Sequence, residues 1–103
     1  MAKIRLNPDP TFKTKVSIPV PGASPAPVEF TFKHRTREAI VAWMDEVKDK
    51  TDVELVQDVA SAWELDDEFN AENIARLCNN YAGAGTSILS AYISELAGAR
   101  SKN

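Results

Sequence analysis

The sequence predicts an α+β protein, mostly α, in which an N-terminal β-hairpin packs on four α-helices. Three observations predict it. Two early segments alternate apolar and polar residues, the chain after residue 35 repeats apolar residues at helical spacing, and helix-start and helix-stop residues flank those stripes. At 103 residues the chain has the size of one domain. It divides into a loose arm over 1–10, a hairpin over 11–34, a helical region over 35–98 and a tail over 99–103.

The arm carries Asn7-Pro8-Asp9-Pro10, whose two prolines cannot donate backbone hydrogen bonds. From Thr11 the pattern has period two. Phe12, Thr14, Val16, Ile18 and Val20 share one face, and Lys13, Lys15 and Ser17 share the other, which predicts a half-buried strand over 11–20. Pro19 confines its far end to a sheet edge. Pro21-Gly22-Ala23-Ser24-Pro25-Ala26-Pro27 is a turn-rich connection. Val28, Phe30, Phe32 and His34 then alternate with Glu29, Thr31 and Lys33, a second strand over 28–34. Two strands alone are marginal in water, so their apolar face must lie on helices.

Four helices are expected, over 36–49, 52–64, 71–81 and 84–97. Ile40, Trp43, Met44 and Val47 follow i, i+3, i+4, i+7, as do Val56, Val59, Ala60 and Trp63, and Ile74, Leu77, Cys78 and Tyr81. Ile88, Leu89, Tyr92, Ile93 and Leu96 form a wider stripe. Thr36 can cap the first helix. Thr51 and Glu54 fit a capping box, and Asn70 is a good N-cap with Phe69 and Ile74 placed for a hydrophobic staple. Gly83 and Gly85 mark the break before the last helix. Gly98 suits its C-cap, followed by Arg100 and Lys102 near the negative end of the helix.

Charge is segregated. Residues 1–37 hold seven basic and two acidic residues, residues 38–72 two basic and twelve acidic, and residues 73–103 three basic and one acidic. The acidic middle argues against a general nucleic-acid binder, which needs clustered Lys and Arg. Opposed charged regions can steer self-association or a charged partner. The single cysteine excludes an internal disulfide, no stretch is apolar enough to span a bilayer, and the N-terminus lacks the long apolar run of a signal peptide. A reducing cytoplasm is the expected home.

Chemistry-bearing residues are sparse. His34 closes a strand face and reads as a residue at the core margin. Cys78 lies on an apolar helical face between Leu77 and Tyr81, where a cysteine behaves as a small hydrophobe. Asp66-Asp67-Glu68 lacks the ligand spacing and central glycine of a calcium loop. Gly83-Ala84-Gly85-Thr86 opens a helix without a Walker lysine or a preceding strand. The sequence therefore predicts no catalytic, cofactor-binding or metal-binding residues, no cofactor, and a non-enzymatic protein that works by binding other proteins. Trp43 reads as core. Trp63, Leu65 and Phe69 interleave with acids and form the first candidate contact patch, with Arg35 and Arg37 on the basic hairpin edge as the second.

The run Asn7-Pro8-Asp9-Pro10-Thr11-Phe12, the hairpin end Val28 to Arg37, Trp63-Glu64-Leu65-Asp66, Glu72-Asn73-Ile74 and the Asn80-Tyr81-Ala82-Gly83-Ala84 break together resemble one family. That family is the small tail assembly chaperones of phages and prophages with long, non-contractile tails. The resemblance covers nearly the whole chain in order, with Ala82 where the family has proline. It implies a chaperone that binds the tape measure protein, keeps it soluble and helps recruit tail tube protein, the latter through a longer product of translational frameshifting. It also implies action in the host bacterial cytoplasm and absence from the finished virion. Two other readings are a structural virion or head–tail connector protein, and a small nucleic-acid-binding regulator using Lys13, Lys15, Lys33, Arg35 and Arg37.

Overall fold

The computed structural model describes residues 4–98. Strand β1 (Thr11–Ile18) pairs antiparallel with strand β2 (Ala26–Lys33), from Thr11 opposite Lys33 to Ile18 opposite Ala26. β1 stops just before Pro19, two residues short of the expected end, because proline has no N–H for the ladder. The chain then turns at Val20–Ala23. Ala23 N–H donates to the Val20 carbonyl at 3.0 Å, with Pro21 and Gly22 at the corners. Gly22 has φ 78°, the positive angle that the third residue of a type II turn requires. The period-two pattern plays out as expected. Val16, Ile18, Val28, Phe30 and Phe32 are buried on one face, and Lys13, Lys15 and Ser17 stay exposed on the other.

Helix α1 (Arg37–Met44) starts where Thr36 Oγ1 accepts the Ala39 N–H at 3.1 Å. It ends five residues before the expected 49. The Asp45 and Glu46 N–H groups donate to carbonyls three residues back, and Val47–Asp49 form a separate 3₁₀ turn. Asp45, Glu46 and Asp49 crowd the negative end of the helix dipole, and no basic residue sits in the last turn of α1 to offset them.

Helix α2 (Asp52–Val59) opens with the predicted capping box. Glu54 N–H donates to Thr51 Oγ1 at 3.2 Å, and Thr51 N–H donates to Glu54 Oε1 at 2.9 Å. The expectation of a helix to 64 is wrong. Ala60–Trp63 form a third strand, β3, antiparallel to β2, so the hairpin on four helices becomes a three-stranded sheet in the order β1-β2-β3. Phe32 faces Ala60, Thr31 faces Ala62 and Phe30 faces Trp63, with Ser61 the extra residue of a bulge. Ala-Ser-Ala-Trp carries little strand propensity. The pairing is decided by β2, whose backbone edge beside the buried Phe30 and Phe32 needs partners.

Helix α3 (Ala71–Asn80) is capped by Asn70, whose Oδ1 accepts the Asn73 N–H at 2.8 Å. Helix α4 (Ala84–Ala97) packs against β1 and α2. A Cβ on Gly85 would lie 3.1 Å from the Asp52 carboxyl, so glycine permits this close approach. The Asp52 carboxylate thus stands beside the positive first turn of α4, a favourable sign at a helix start and an unfavourable neighbour for phosphate. Gly98 ends α4 with φ 70°, as the C-cap expectation requires. The expected tail and the basic pair Arg100 and Lys102 lie outside the described residues.

The core runs between the inner sheet face and the helices, and Tyr92 sits at its centre, fully buried. Its ring stacks on Phe12 at 6.2 Å, tilts on Phe32 at 5.3 Å and meets Trp43 edge-on at 6.0 Å. Its hydroxyl donates to the Lys33 carbonyl at 2.8 Å and accepts from Arg35 Nη1 at 2.9 Å. A buried phenol needs such partners.

The end of α2 is held by cations from the end of β2. Lys33 Nζ donates to the Gln57 carbonyl at 3.1 Å and Arg35 Nη1 to the Asp58 carbonyl at 2.9 Å. These carbonyls have no partner within the helix, and positive charge is favourable there. The Asp58 side chain gathers two further donors, Trp43 Nε1 at 2.9 Å and Lys50 Nζ at 2.6 Å. Burial on its own would push the Asp58 carboxyl up; the hydrogen bonds from Lys50 and Trp43 and the Lys50 and Arg35 charges outweigh it and hold Asp58 below the ordinary carboxylate range.

A depressed carboxyl stabilises the fold above its unfolded pKa, and that contribution is lost as pH falls through the folded value. Asp58→Asn should lower unfolding stability by about 1–2 kcal/mol at neutral pH. It should also remove part of the stability loss below about pH 4. Chemical denaturation at several pH values checks both.

Candidate functional site

β3 delivers Trp63 to the base of a groove. The indole is half-buried, meets Phe30 edge-on at 6.0 Å and donates Nε1–H to the Asp67 carbonyl at 2.7 Å. Phe69 stands edge-on behind it at 5.1 Å. The ring is therefore fixed from two sides before any partner arrives.

The groove has a volume of about 370 Å³ and lies between the turn end of the hairpin, the loop after β3 and α3. Ile18, Val20, Ala26 and Val28 line the hairpin side, Trp63, Leu65 and Asp67 the loop, and Asn73, Arg76, Leu77, Asn80 and Tyr81 the helix. Ile18 and Val28 are buried, while Val20, Trp63, Leu65 and Leu77 are half-buried. Tyr81, at 36% exposure, is the most open large apolar group of the wall. The polar rim is tied to itself. Arg76 Nη1 donates to Asn73 Oδ1 at 2.8 Å, and Asn73 Nδ2 donates to the Glu68 carbonyl at 2.7 Å. A slot with an apolar floor, a fixed indole and an acid-bearing loop suits an apolar side-chain stripe from another chain.

The predicted contact residues fall into two groups. Trp63 and Leu65 line the groove; Phe69 supports Trp63 from behind and packs on the core without lining the slot. Arg35 and Arg37 are elsewhere, at a different hollow with Ile40 and Ile93. Arg35 is half-buried and committed to the fold. Besides its bonds to the Asp58 carbonyl and to Tyr92, its guanidinium lies 5.2 Å from the centre of the Trp43 ring. Arg37 is exposed at the first position of α1.

Leu77 and Tyr81 stand on the predicted apolar stripe of α3 but are not among the predicted contact residues. The missing signal was which end of the stripe overhangs the sheet. Trp43 is core, 5% exposed. His34 is half-buried, and its backbone N–H donates to the Pro10 carbonyl at 2.8 Å. Cys78 is half-buried, and burial, with a smaller contribution from Asp52, pushes its thiol up, away from the reactive thiolate. Among the described residues, no group of three His, Cys, Asp or Glu side chains is placed to hold a metal, and no helix is long and apolar enough to cross a membrane.

A family model described as phage tail assembly chaperone matches residues 1–103, the whole chain. No curated protein and no solved structure matches it.

The two arginines should separate cleanly on mutation. Arg35→Ala removes two charge-assisted hydrogen bonds and a ring contact and should lower stability by about 2–3 kcal/mol. Arg37→Ala should stay within about 0.5 kcal/mol of the parent. Urea unfolding followed by tryptophan fluorescence measures both.

Proposed function

The chain belongs to the phage tail assembly chaperone family, and from that premise we propose that it binds the tape measure protein through the Trp63–Tyr81 groove. Family membership points to a non-enzymatic role in building the tail. The tape measure protein of a long tail is itself long and helical. Its apolar stripes aggregate when nothing covers them. A small protein with one pre-formed apolar slot can cover such a stripe in many copies, gaining avidity from repetition along one client.

The observation that carries the reading is the groove. Its floor is apolar, and Trp63 is already held by Phe30, Phe69 and the Asp67 carbonyl, so binding needs little ordering of the chaperone side. The exposed acids Glu64, Asp66, Asp67 and Glu68 beside the slot keep the coated client soluble. We assign the action to the host cytoplasm, before the tail is complete. Tail tube protein would be recruited around the coated client, with a longer frameshifted product making that contact.

Co-expression with the tape measure protein encoded nearby tests the reading. The client should become soluble and co-purify. Leu65→Ser combined with Tyr81→Ser should abolish co-purification while circular dichroism and cooperative unfolding persist. A client that stays insoluble beside the parent chain, or a double variant that still co-purifies with it, contradicts the groove assignment.

A further inference from the structure

The sheet has two edges, and they differ. β3 is four residues long and bulged against β2. β1 is eight residues long, pairs with β2 without a bulge and lies between Pro10 and Pro19. One contact fixes its hydrogen-bonding phase. The His34 N–H donates to the Pro10 carbonyl at 2.8 Å, so those two residues face each other as a bonded pair. Along the antiparallel register the next bonded pairs are Phe12–Phe32, Thr14–Phe30 and Val16–Val28. The residues between them, Thr11, Lys13, Lys15 and Ser17, therefore turn their N–H and C=O groups outward, away from β2. Among the described residues nothing pairs with those groups. Thr11, Lys13, Lys15 and Ser17 are exposed. Lys13 and Lys15 stand on the sheet face away from the core, and neither ammonium has an ion-pair partner among the described residues. Glu29 lies opposite Lys15 in the register and is not bridged to it.

We propose that β1 is a docking edge for an extended acidic segment of another protein, which adds to the sheet as a fourth strand. Strand addition gains affinity from main-chain hydrogen bonds and specificity from alternate side chains. Here the incoming segment bonds the outward N–H and C=O groups of Thr11, Lys13, Lys15 and Ser17. Acids at alternate positions of that segment then fall beside Lys13 and Lys15 on the same sheet face. Charge selects this occupant over two others. A second copy, paired edge to edge so that all the outward groups are used, would set Lys13 of one copy opposite Lys15 of the other, and like charges across a ladder are destabilising. A nucleic acid needs a longer track of cations. The next cations along the sheet are spent within the fold, Lys33 on the Gln57 carbonyl and Arg35 on the Asp58 carbonyl and Tyr92. Lysine commonly blunts an edge together with bulges, internal prolines or short strands. β1 is long, unbulged and without an internal proline, so its lysines sort partners by charge while the backbone stays open.

The outward residues of this edge line no part of the Trp63 groove, so the proposal stands apart from client capture there. The probe is a short, end-capped peptide alternating threonine with glutamate, titrated into the isotope-labelled full chain and followed by amide NMR. The amides of Thr11, Lys13, Lys15 and Ser17 should shift and gain protection from exchange, while those of α3 hold still. Directly opposed residues share a face, so the glutamates of the peptide supply its ladder N–H groups. N-methylating them keeps the charge and removes the bonds, and should weaken binding at least about tenfold. Lys13→Glu combined with Lys15→Glu should weaken the glutamate peptide about tenfold or more and admit a threonine–lysine peptide instead. Both lysines are exposed, so the variant should fold as the parent does, which circular dichroism checks. No shift at those amides with millimolar peptide overturns the proposal. Equal binding of the N-methylated peptide reduces the edge to a charge contact and overturns it too. So does equal binding of the glutamate and lysine peptides by the parent, or shifts at the same amides that grow with protein concentration alone. Salt-sensitive binding of a DNA oligonucleotide at Lys13 and Lys15, with no response to the peptide, would assign the lysines to phosphate and likewise overturn it.

Discussion

The rest of the structure hangs on the end of α2. A helix that stops at Val59 leaves carbonyls without partners, and here two of them, at Gln57 and Asp58, are met by Lys33 and Arg35 from the end of β2. That one junction joins sheet to helix. Arg35 continues to the Tyr92 hydroxyl and the Trp43 ring, which brings α4 and α1 to the same point. The Asp58 side chain adds Lys50 and the Trp43 indole. With α2 stopped there, the next four residues are free to run along β2 as β3, and β3 is what carries Trp63 to the groove.

The junction also gives the charge segregation a physical meaning. The basic first third meets the acidic middle where Lys33 and Arg35 cap the C-terminus of α2. The arginine edge read from the sequence as a contact surface is thereby divided. Arg35 is spent on the fold, while Arg37 remains at the surface. Lys13 and Lys15 are exposed on the outer face of β1, an edge strand, where lysine discourages indiscriminate strand pairing.

What was legible in the sequence was local. Period-two alternation placed both strands, Thr36, Thr51–Glu54 and Asn70 placed three helix starts, and the glycine at 98 placed an end. The ordered fragments placed the family. What was illegible was set by tertiary context. The stripe Val56, Val59, Ala60 and Trp63 has helical spacing, yet the last two positions serve a strand because the β2 edge demands a partner. The early stop of α1 was readable in principle, from the acids at its C-terminal end, but periodicity through Val47 masked it. The groove was half legible. The aromatic among acids at Trp63 and Leu65 does line a groove, while the opposite wall of Leu77 and Tyr81 depends on how α3 lies over the hairpin turn.

The central claim is that an apolar segment of the tape measure protein lies in the Trp63–Tyr81 groove. Amide hydrogen exchange of the chaperone, alone and in complex with its client, addresses it most directly. The account predicts slower exchange on binding at residues 63–67 and 76–81, with α1 and the start of α2 unchanged. Protection confined to α1 and α4, or no protection at either wall of the groove, would contradict it.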